Sequence, residues 1–564
     1  MSGAELSPAW TLVFGATLVP LLRGAVRGAW TVLLPLAGLA QLWFLAPGEY
    51  GQVAFLGQEL LLVRVDRWST LFGAVFLIAA LLNSIYSLHV RDAVQPAAGL
   101  AYAGAAIGAV FAGDLLTLFV FWELTAITSV FLIWARRTER SFAAGMRYLV
   151  IQLASGMLLL FGALQQLNAT GSLRFEQIGL DGPGGLLMFL GFGIKCAFPL
   201  LHNWLQDAYP EATESGTVML SAFTTKLAVY ALARGFAGQP ELIWIGAAMA
   251  AFPIFYAVIE NDLRRVLSYS LNNQLGFMVV GVGVGTELAL NGTAAHAFSH
   301  IVYKGLLFMS MGAVLLRTGT VKASELGGLY KSMPWTTGFC IIGAASIAAF
   351  PLFSGFVSKS MILGAAGHEG HLVAFLVLLF ASAAMFHPDA KVPFFAFFGR
   401  DSGRRCEEAP WNMLVAMGLA AALCIAIGVF PQPLYAMLPF PVDYAPYTGS
   451  HVLSQLQLLM FSGLVFAMLL RAGLYPRQRP SVNLDFDWIY RKAAPAVVRG
   501  ISAAIAAGLG LLARGRSRLL QSIVAAARRL HQPGGLLART WPSGTSALWM
   551  MVLLLGLLLS GYLA

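Results

Sequence analysis

Five of the chain's eight lysines, Lys195, Lys226, Lys304, Lys359 and Lys391, lie inside apolar stretches, and only Lys322, Lys331 and Lys492 lie in polar ones. The other 28 of its 36 basic residues are arginines, and these crowd the loops. A cation held in lipid or in a protein interior is expensive, so each of the five is a candidate functional residue. Arginine keeps its proton under biological conditions, whereas a buried lysine can release one. The pattern reads as arginine for topology and lysine where a proton must come and go.

Other titratable residues fit the same chemistry. Glu123 sits in the apolar run Phe119 to Thr125, with Lys195 and Lys226 as its natural partners. A Glu–Lys pair that forms and breaks is a proton switch, and a static structural pair is the alternative. His296, His300 and Lys304 recur at i, i+4 and i+8, which stacks them on one helix face. Histidine titrates near neutral pH, so the stripe suits stepwise proton transfer. Its His-x-x-x-His spacing also suits a metal, but no third ligand or catalytic glutamate accompanies it. Asn272, Asn273 and Gln274 are candidates to hold water between stations or to pack helices. Lys391 has snorkelling to the interface as its alternative reading. His202 and Trp204 are candidate interface anchors, and Asp114 a helix-dipole partner.

Positioning these groups falls to membrane helices. The 564 residues are 58% hydrophobic and 11% charged, against roughly 25% charged in a soluble domain. The net charge of +10 is assigned to basic cytoplasmic loops rather than to nucleic-acid binding. The first ten residues lack the charged n-region of a cleaved signal peptide. Cys196, Cys340, Cys406 and Cys424 show no CxxC spacing, so no disulfide framework, zinc site or cluster is expected.

At about 20 apolar residues per span, the chain divides into about sixteen transmembrane segments. They lie near 8–23, 28–46, 68–89, 95–112, 115–135, 141–167, 184–204, 216–235, 240–259, 264–286, 292–316, 335–365, 371–398, 411–430, 453–473 and 546–563. Arginine-rich loops alternate with loops poor in cations, which places both termini outside. The exception is the loop holding Asp207, Glu211 and Glu214, acidic although it counts to the cytoplasmic side. It reads either as a cation-collecting mouth or as an ordinary loop. Residues 481–545 form an arginine-bearing amphipathic segment along a membrane surface, broken at Pro533-Gly534-Gly535 before the last span at 546–564.

The seventh and twelfth segments each carry a proline and a lysine in mid-span, Pro199 with Lys195 and Pro351 with Lys359. Such breaks are tolerated at membrane depth where they line a polar cavity. The next segment in each half carries Lys226 and Lys391. Paired broken helices point to an inverted-repeat transporter, with repeats at 95–235 and 240–400. Residues 1–94 and 401–480 then supply flanking helices.

Several stretches carry a family resemblance. These are Phe121-Trp122-Glu123-Leu124, Lys195 to Leu205, Ser221 to Tyr230, Arg265 to Gly276, His296 to Leu307, and Phe350 to Leu363. Together they resemble the proton-translocating, antiporter-like membrane subunits shared by Mrp-type cation/proton antiporters and respiratory complex I. The resemblance implies two inverted five-helix repeats in an all-α polytopic fold. It also implies that Glu123, Lys195, Lys226, Lys304 and Lys359 lie on the proton path. Leu220, where relatives in complex I carry a histidine, and lysine at position 359 make the chain most similar to the D-type subunit of Mrp antiporters. The tail with a surface helix and a final span resembles the lateral-helix subunit of complex I. The expected function is a proton-conducting subunit of a multi-subunit sodium/proton antiporter in the bacterial inner membrane, a transporter subunit rather than an enzyme. The alternatives are a subunit of a redox-driven pump, complex I-like or a membrane hydrogenase, or the membrane half of an inorganic-carbon uptake system. No nucleotide loop or flavin motif occurs, so no cofactor is expected in the chain itself. Redox or hydration chemistry would belong to partner subunits.

Overall fold

The computed structural model describes residues 7–55, 57–479, 483 and 485–563. Residues 481, 482 and 484, where the surface segment was expected to begin, lie outside the described residues, as do most of the first ten.

The fold is an all-α polytopic membrane fold with one small hairpin. Helices α1 (Pro8–Leu18) and α2 (Gly24–Phe44) lead to the hairpin, β1 (Gly48–Phe55) and β2 (Gln58–Val65). Then come α3 (Arg67–Tyr86), α4 (Val94–Phe111), α5 (Leu115–Trp134), α6 (Glu139–Thr170), α7 (Gly185–Lys195), α8 (Asn203–Ala208), α9 (Glu214–Ala222) and α10 (Thr224–Gly235). The second half holds α11 (Pro240–Ile259), α12 (Leu263–Val284), α13 (Glu287–Thr318), α14 (Pro334–Ile347), α15 (Ser354–His368) and α16 (Leu372–Pro393). A π-turn over Phe394–Phe398 follows, then α17 (Trp411–Val429), α18 (Gln432–Ala436) and α19 (Gly449–Arg471). Among the described residues thirteen helices are long and apolar enough to cross a membrane, and three shorter apolar ones accompany them.

Residues 7–485 form one compact unit. Its centre is α12 and α13. The expected span at 264–286 corresponds to α12, which is too polar to face lipid: it carries Arg264, Ser268, Ser270, Asn272, Asn273 and Gln274, all buried. Other helices must therefore enclose it, since hydrocarbon cannot satisfy those groups. Gly246 and Gly276 let α11 lie against it. A Cβ on Gly246 would stand 2.6 Å from Val280 N, and one on Gly276 would collide with Ala250 N. Close backbone approach through small residues is how membrane helices pack.

The hairpin was not among the expected elements. Gln58 to Val65 alternates inward Leu61, Val63 and Val65 with more exposed neighbours, around a turn at Gly57. It is anchored by Asp114. That carboxylate accepts from Leu61 N at 3.0 Å and caps α5 through Thr117 N at 2.7 Å. Asp114, expected as a helix-dipole partner, is the N-cap of α5.

Both expected breaks are present, and they share one backbone. Ala197-Phe198-Pro199-Leu200 and Ala349-Phe350-Pro351-Leu352 have the same four residue types. Their alanines have φ of 61° and 58°, and their leucines 71° and 77°. Phe198 N donates to the Gly193 carbonyl and Phe350 N to that of Ala345, at 3.0 and 2.9 Å. Left-handed backbone costs a non-glycine residue of order 1–3 kcal/mol. Four such residues in two identical settings mark built features, not accidents of a loop.

Residues 486–563 form a second unit, described by itself. It comprises the exposed helix α20 (Ala494–His531), ending in Arg528, Arg529 and His531, and the apolar helix α21 (Ser543–Leu563).

Candidate functional site

The first station is the end of α7. Lys195 is its last residue and is fully buried. Its Nζ donates to the Trp122 carbonyl at 2.5 Å and to Thr125 Oγ1 at 2.8 Å, with the Trp122 ring centroid 4.5 Å away. Trp122 Nε1 in turn donates to Ser155 Oγ, and Ser155 to the Gly191 carbonyl, which ties α5, α6 and α7 together. Glu123 follows on the same turn of α5. The direct Glu123–Lys195 pair expected from sequence is not formed: Lys195 holds the neighbouring residue's carbonyl, and Glu123 Oε1 is buried without a hydrogen-bond partner among the described residues. Its room comes from α6, because a Cβ on Gly156 would overlap Oε1.

The second station is a break that the sequence did not announce. The expected span at 216–235 is interrupted at Phe223, between α9 and α10. No proline causes it. Tyr102 OH, from α4, accepts from Thr224 N at 2.9 Å and also bonds Thr224 Oγ1 at 2.5 Å. Lys226 Nζ donates to the Ser221 carbonyl at 2.6 Å, an acceptor the broken ladder leaves open.

The stripe expected from sequence lies on α13. His296, His300 and Lys304 are all fully buried. His296 Nε2 donates to Gln274 Oε1 and its Nδ1 is hydrogen-bonded to Ser358 Oγ, both at 3.1 Å. Neither ring nitrogen of His300 has a partner among the described residues. Lys304 Nζ donates to Ser270 Oγ at 2.7 Å. Lys359 Nζ donates to the Ile347 carbonyl at 3.0 Å, the last of α14, and stands 5.0 Å from the Phe277 ring centroid. A lysine on a helix carbonyl beside an aromatic face therefore occurs in each half, at Lys195 and at Lys359.

Lys391 does not snorkel. It is buried, and its Nζ donates to the Ala257, Val258 and Glu260 carbonyls at 3.3, 2.8 and 2.5 Å, capping the C-terminus of α11. The acidic loop is neutralised from within the chain. Arg147 binds Asp207 through two hydrogen bonds, and Glu211 takes Arg136 and Arg140. On the arginine-rich loops, Arg405 and Lys331 clamp Asp401 and hold its carboxyl well below the usual carboxylate range. His202 is no interface anchor: it is buried, 3.2 Å from Asp485 Oδ2, which also accepts from Tyr269 OH at 2.9 Å.

A family model described as NADH:quinone oxidoreductase/Mrp antiporter, TM, matches residues 112–386. The D-type Na(+)/H(+) antiporter subunit of Alkalihalophilus pseudofirmus is 30% identical over 352 residues, covering 58% of this chain and 71% of that protein. The chain belongs to this antiporter-like family. Hydrogenase-4 component B of Escherichia coli K12 is also 30% identical, over 421 residues that cover 65% of this chain and 62% of that relative's length. Among solved structures, a chain of the Mrp complex from Dietzia sp. DQ12-45-1b superposes with a TM-score of 0.69 at 22% identity, covering 77% of this chain and 96% of that one. A chain of the archaeal membrane-bound sulfane sulfur reductase gives 0.72 at 22% identity and covers 98% of this chain and 99% of that one. These two likenesses speak to the fold.

Glu123, Lys195, Lys226, His296, His300, Lys304 and Lys359 all fall inside the stretch that matches the antiporter-like family model, and Lys391 falls just beyond it. Reading the sequence left two partners, Thr125 and Ser270, outside the candidate set; it places Asp389 among the titratable residues of its helix, beside His387 and Lys391, without a role. Ser270 donates to Asp389 Oδ1 at 2.7 Å. The available signal was Asp389 itself, a carboxylate between Pro388 and Lys391 on an apolar helix.

Proposed function

We propose that the chain is the proton-conducting subunit of a multi-subunit monovalent cation/proton antiporter in a bacterial inner membrane, exchanging protons for sodium together with other membrane subunits. Protons enter at Lys195 and Lys226, with Glu123 setting the charge of that station, pass His300, His296 and Lys304, and leave near Lys359. One observation carries this reading. Among the described residues, each of these four lysines is held by carbonyl or hydroxyl oxygens, and none lies within ion-pair distance of a carboxylate. A carbonyl or hydroxyl accepts a hydrogen bond from ammonium and from neutral amine alike, so such a lysine changes protonation without losing its partner. A contacting carboxylate would lock it charged. The buried polar groups with no partner among the described residues include Glu123 Oε1, Gln152, Thr225 Oγ1, His300 and Asn272. Such groups suit a hydrated conduction path.

The test is proton-driven sodium efflux from vesicles containing the assembled complex. Lys226→Ala and Glu123→Ala are each expected to reduce efflux to background, and full exchange in either sinks the reading. Gly156→Val probes the same station sterically. Overpacking is expected to cost about 1–3 kcal/mol, seen in thermal unfolding, and to impair exchange because the Glu123 carboxyl is displaced. A Gly156→Val complex as stable and active as the parent would show that Glu123 does not need that space.

A second reading, a subunit of a redox-driven pump, is favoured by the similarity to hydrogenase-4 component B. Neighbouring genes for dehydrogenase subunits, rather than for small antiporter subunits, would support it.

A further inference from the structure

Among the described residues, Asp389 is the acidic side chain buried against the α13 stripe that the path above leaves unused. It lies on α16, is 3% exposed, and falls outside the stretch that matches the antiporter-like family model. It is joined to Lys304 through a single hydroxyl: Lys304 Nζ donates to Ser270 Oγ, and Ser270 Oγ donates to Asp389 Oδ1, both at 2.7 Å. Three helices contribute one group each, and both bonds are short and run in one direction. Asp389 also lines a cavity of about 450 Å³ between α14, α16 and α19, walled by apolar side chains such as Ile341, Phe350, Phe386 and Phe466. Helix α16 is irregular there. Pro393 has no N–H to return to the Asp389 carbonyl four residues back, and the π-turn follows directly.

We propose that Ser270 and Asp389 form a proton relay for Lys304, with Asp389 as its acceptor. The step balances internally. An N–H bond of the Lys304 ammonium breaks as its proton passes to Ser270 Oγ. The Ser270 O–H breaks as that proton passes to Asp389 Oδ1. Ammonium and carboxylate become amine and carboxylic acid, and the hydroxyl is regenerated. Net charge is unchanged while two opposite charges vanish from a low-dielectric site, so neither has to stay desolvated between turnovers. A hydroxyl suits the middle position because it accepts and donates at once, which a carbonyl cannot do.

The relay rests on the proposed proton path through Lys304, and the experiment separates the two. In vesicles carrying the assembled complex, Ser270→Ala and Asp389→Asn are each expected to slow proton-driven exchange at least about tenfold. The double variant should be no slower than either single one, as for two parts of one link. Ser270→Thr, which keeps the hydroxyl, should recover most of the loss. Infrared difference spectra on acidification should show a protonated-carboxyl band that Asp389→Asn removes, which a merely structural role would not produce. Full exchange in Ser270→Ala and Asp389→Asn beside background exchange in Lys226→Ala overturns the relay alone. Full exchange in Lys226→Ala overturns the parent reading and the relay with it.

Discussion

Lys304→Met is expected to lower proton-driven exchange at least about 100-fold while the subunit still assembles. Lys304 is fully buried on the α13 stripe, and Ser270 Oγ is the acceptor that holds its ammonium. Methionine fills the volume of the aliphatic stem with a flexible apolar chain, so packing of α13 against α12 changes little. What disappears is the group proposed to take up and release the proton. Asp389, relieved of its distant cation, is free to hold a proton itself, so the fold is not left with an unpaired charge. Lys304→Arg separates charge from proton transfer. A guanidinium keeps the cation and offers donors to Ser270, but it does not give up its proton inside a protein. Arginine is therefore expected to be as inactive as methionine in sodium efflux driven by a pH gradient. Normal exchange with arginine would show that a fixed positive charge suffices at this position and that stepwise transfer through it is wrong.

Which of these features could be read in the chain follows from where their causes lie. The breaks after α7 and α14 were legible because proline acts on its own helix, four residues away. The break at Phe223 was not, because its cause is Tyr102 on α4, whose hydroxyl replaces a rung of the ladder 122 residues distant in sequence. Scanning for about 20 apolar residues passes over a hairpin of two eight-residue strands. The lysines stood out because lysine is rare here and its surroundings are apolar. Their acceptors did not, because a serine or threonine in a membrane helix most often bonds its own backbone, as Thr128 does to Leu124. Charge counted loop by loop likewise missed that Asp207 is matched by Arg147 on a neighbouring helix, and that His202 meets Asp485, 283 residues later.

Lys391 has the most acceptors of the five lysines, and that sets a different expectation for it. Lys391→Ala is expected to destabilise the subunit by about 3 kcal/mol or more, since the Ala257, Val258 and Glu260 carbonyls all lose their donor at a buried helix end. Thermal unfolding of the assembled complex should shift down by several degrees, and yield should fall, before any transport defect is meaningful. Lys391→Arg is the informative partner. Five donors on a planar fork serve carbonyls as well as an ammonium does, so stability should return. If the cap is all that Lys391 contributes, exchange returns with it. Arginine at 304, also always charged, should restore none. The contrast between the two positions is the point of the pair. A lysine held by one hydroxyl, itself bonded onward to a carboxylate, is placed to pass a proton on. A lysine gripped by three carbonyls is anchored at more points than any lysine placed on the proposed path, so its expected role is to hold the α11 terminus. A Lys391→Arg complex that is fully stable yet unable to exchange would reverse this assignment and extend the proton path beyond Lys359 to α16.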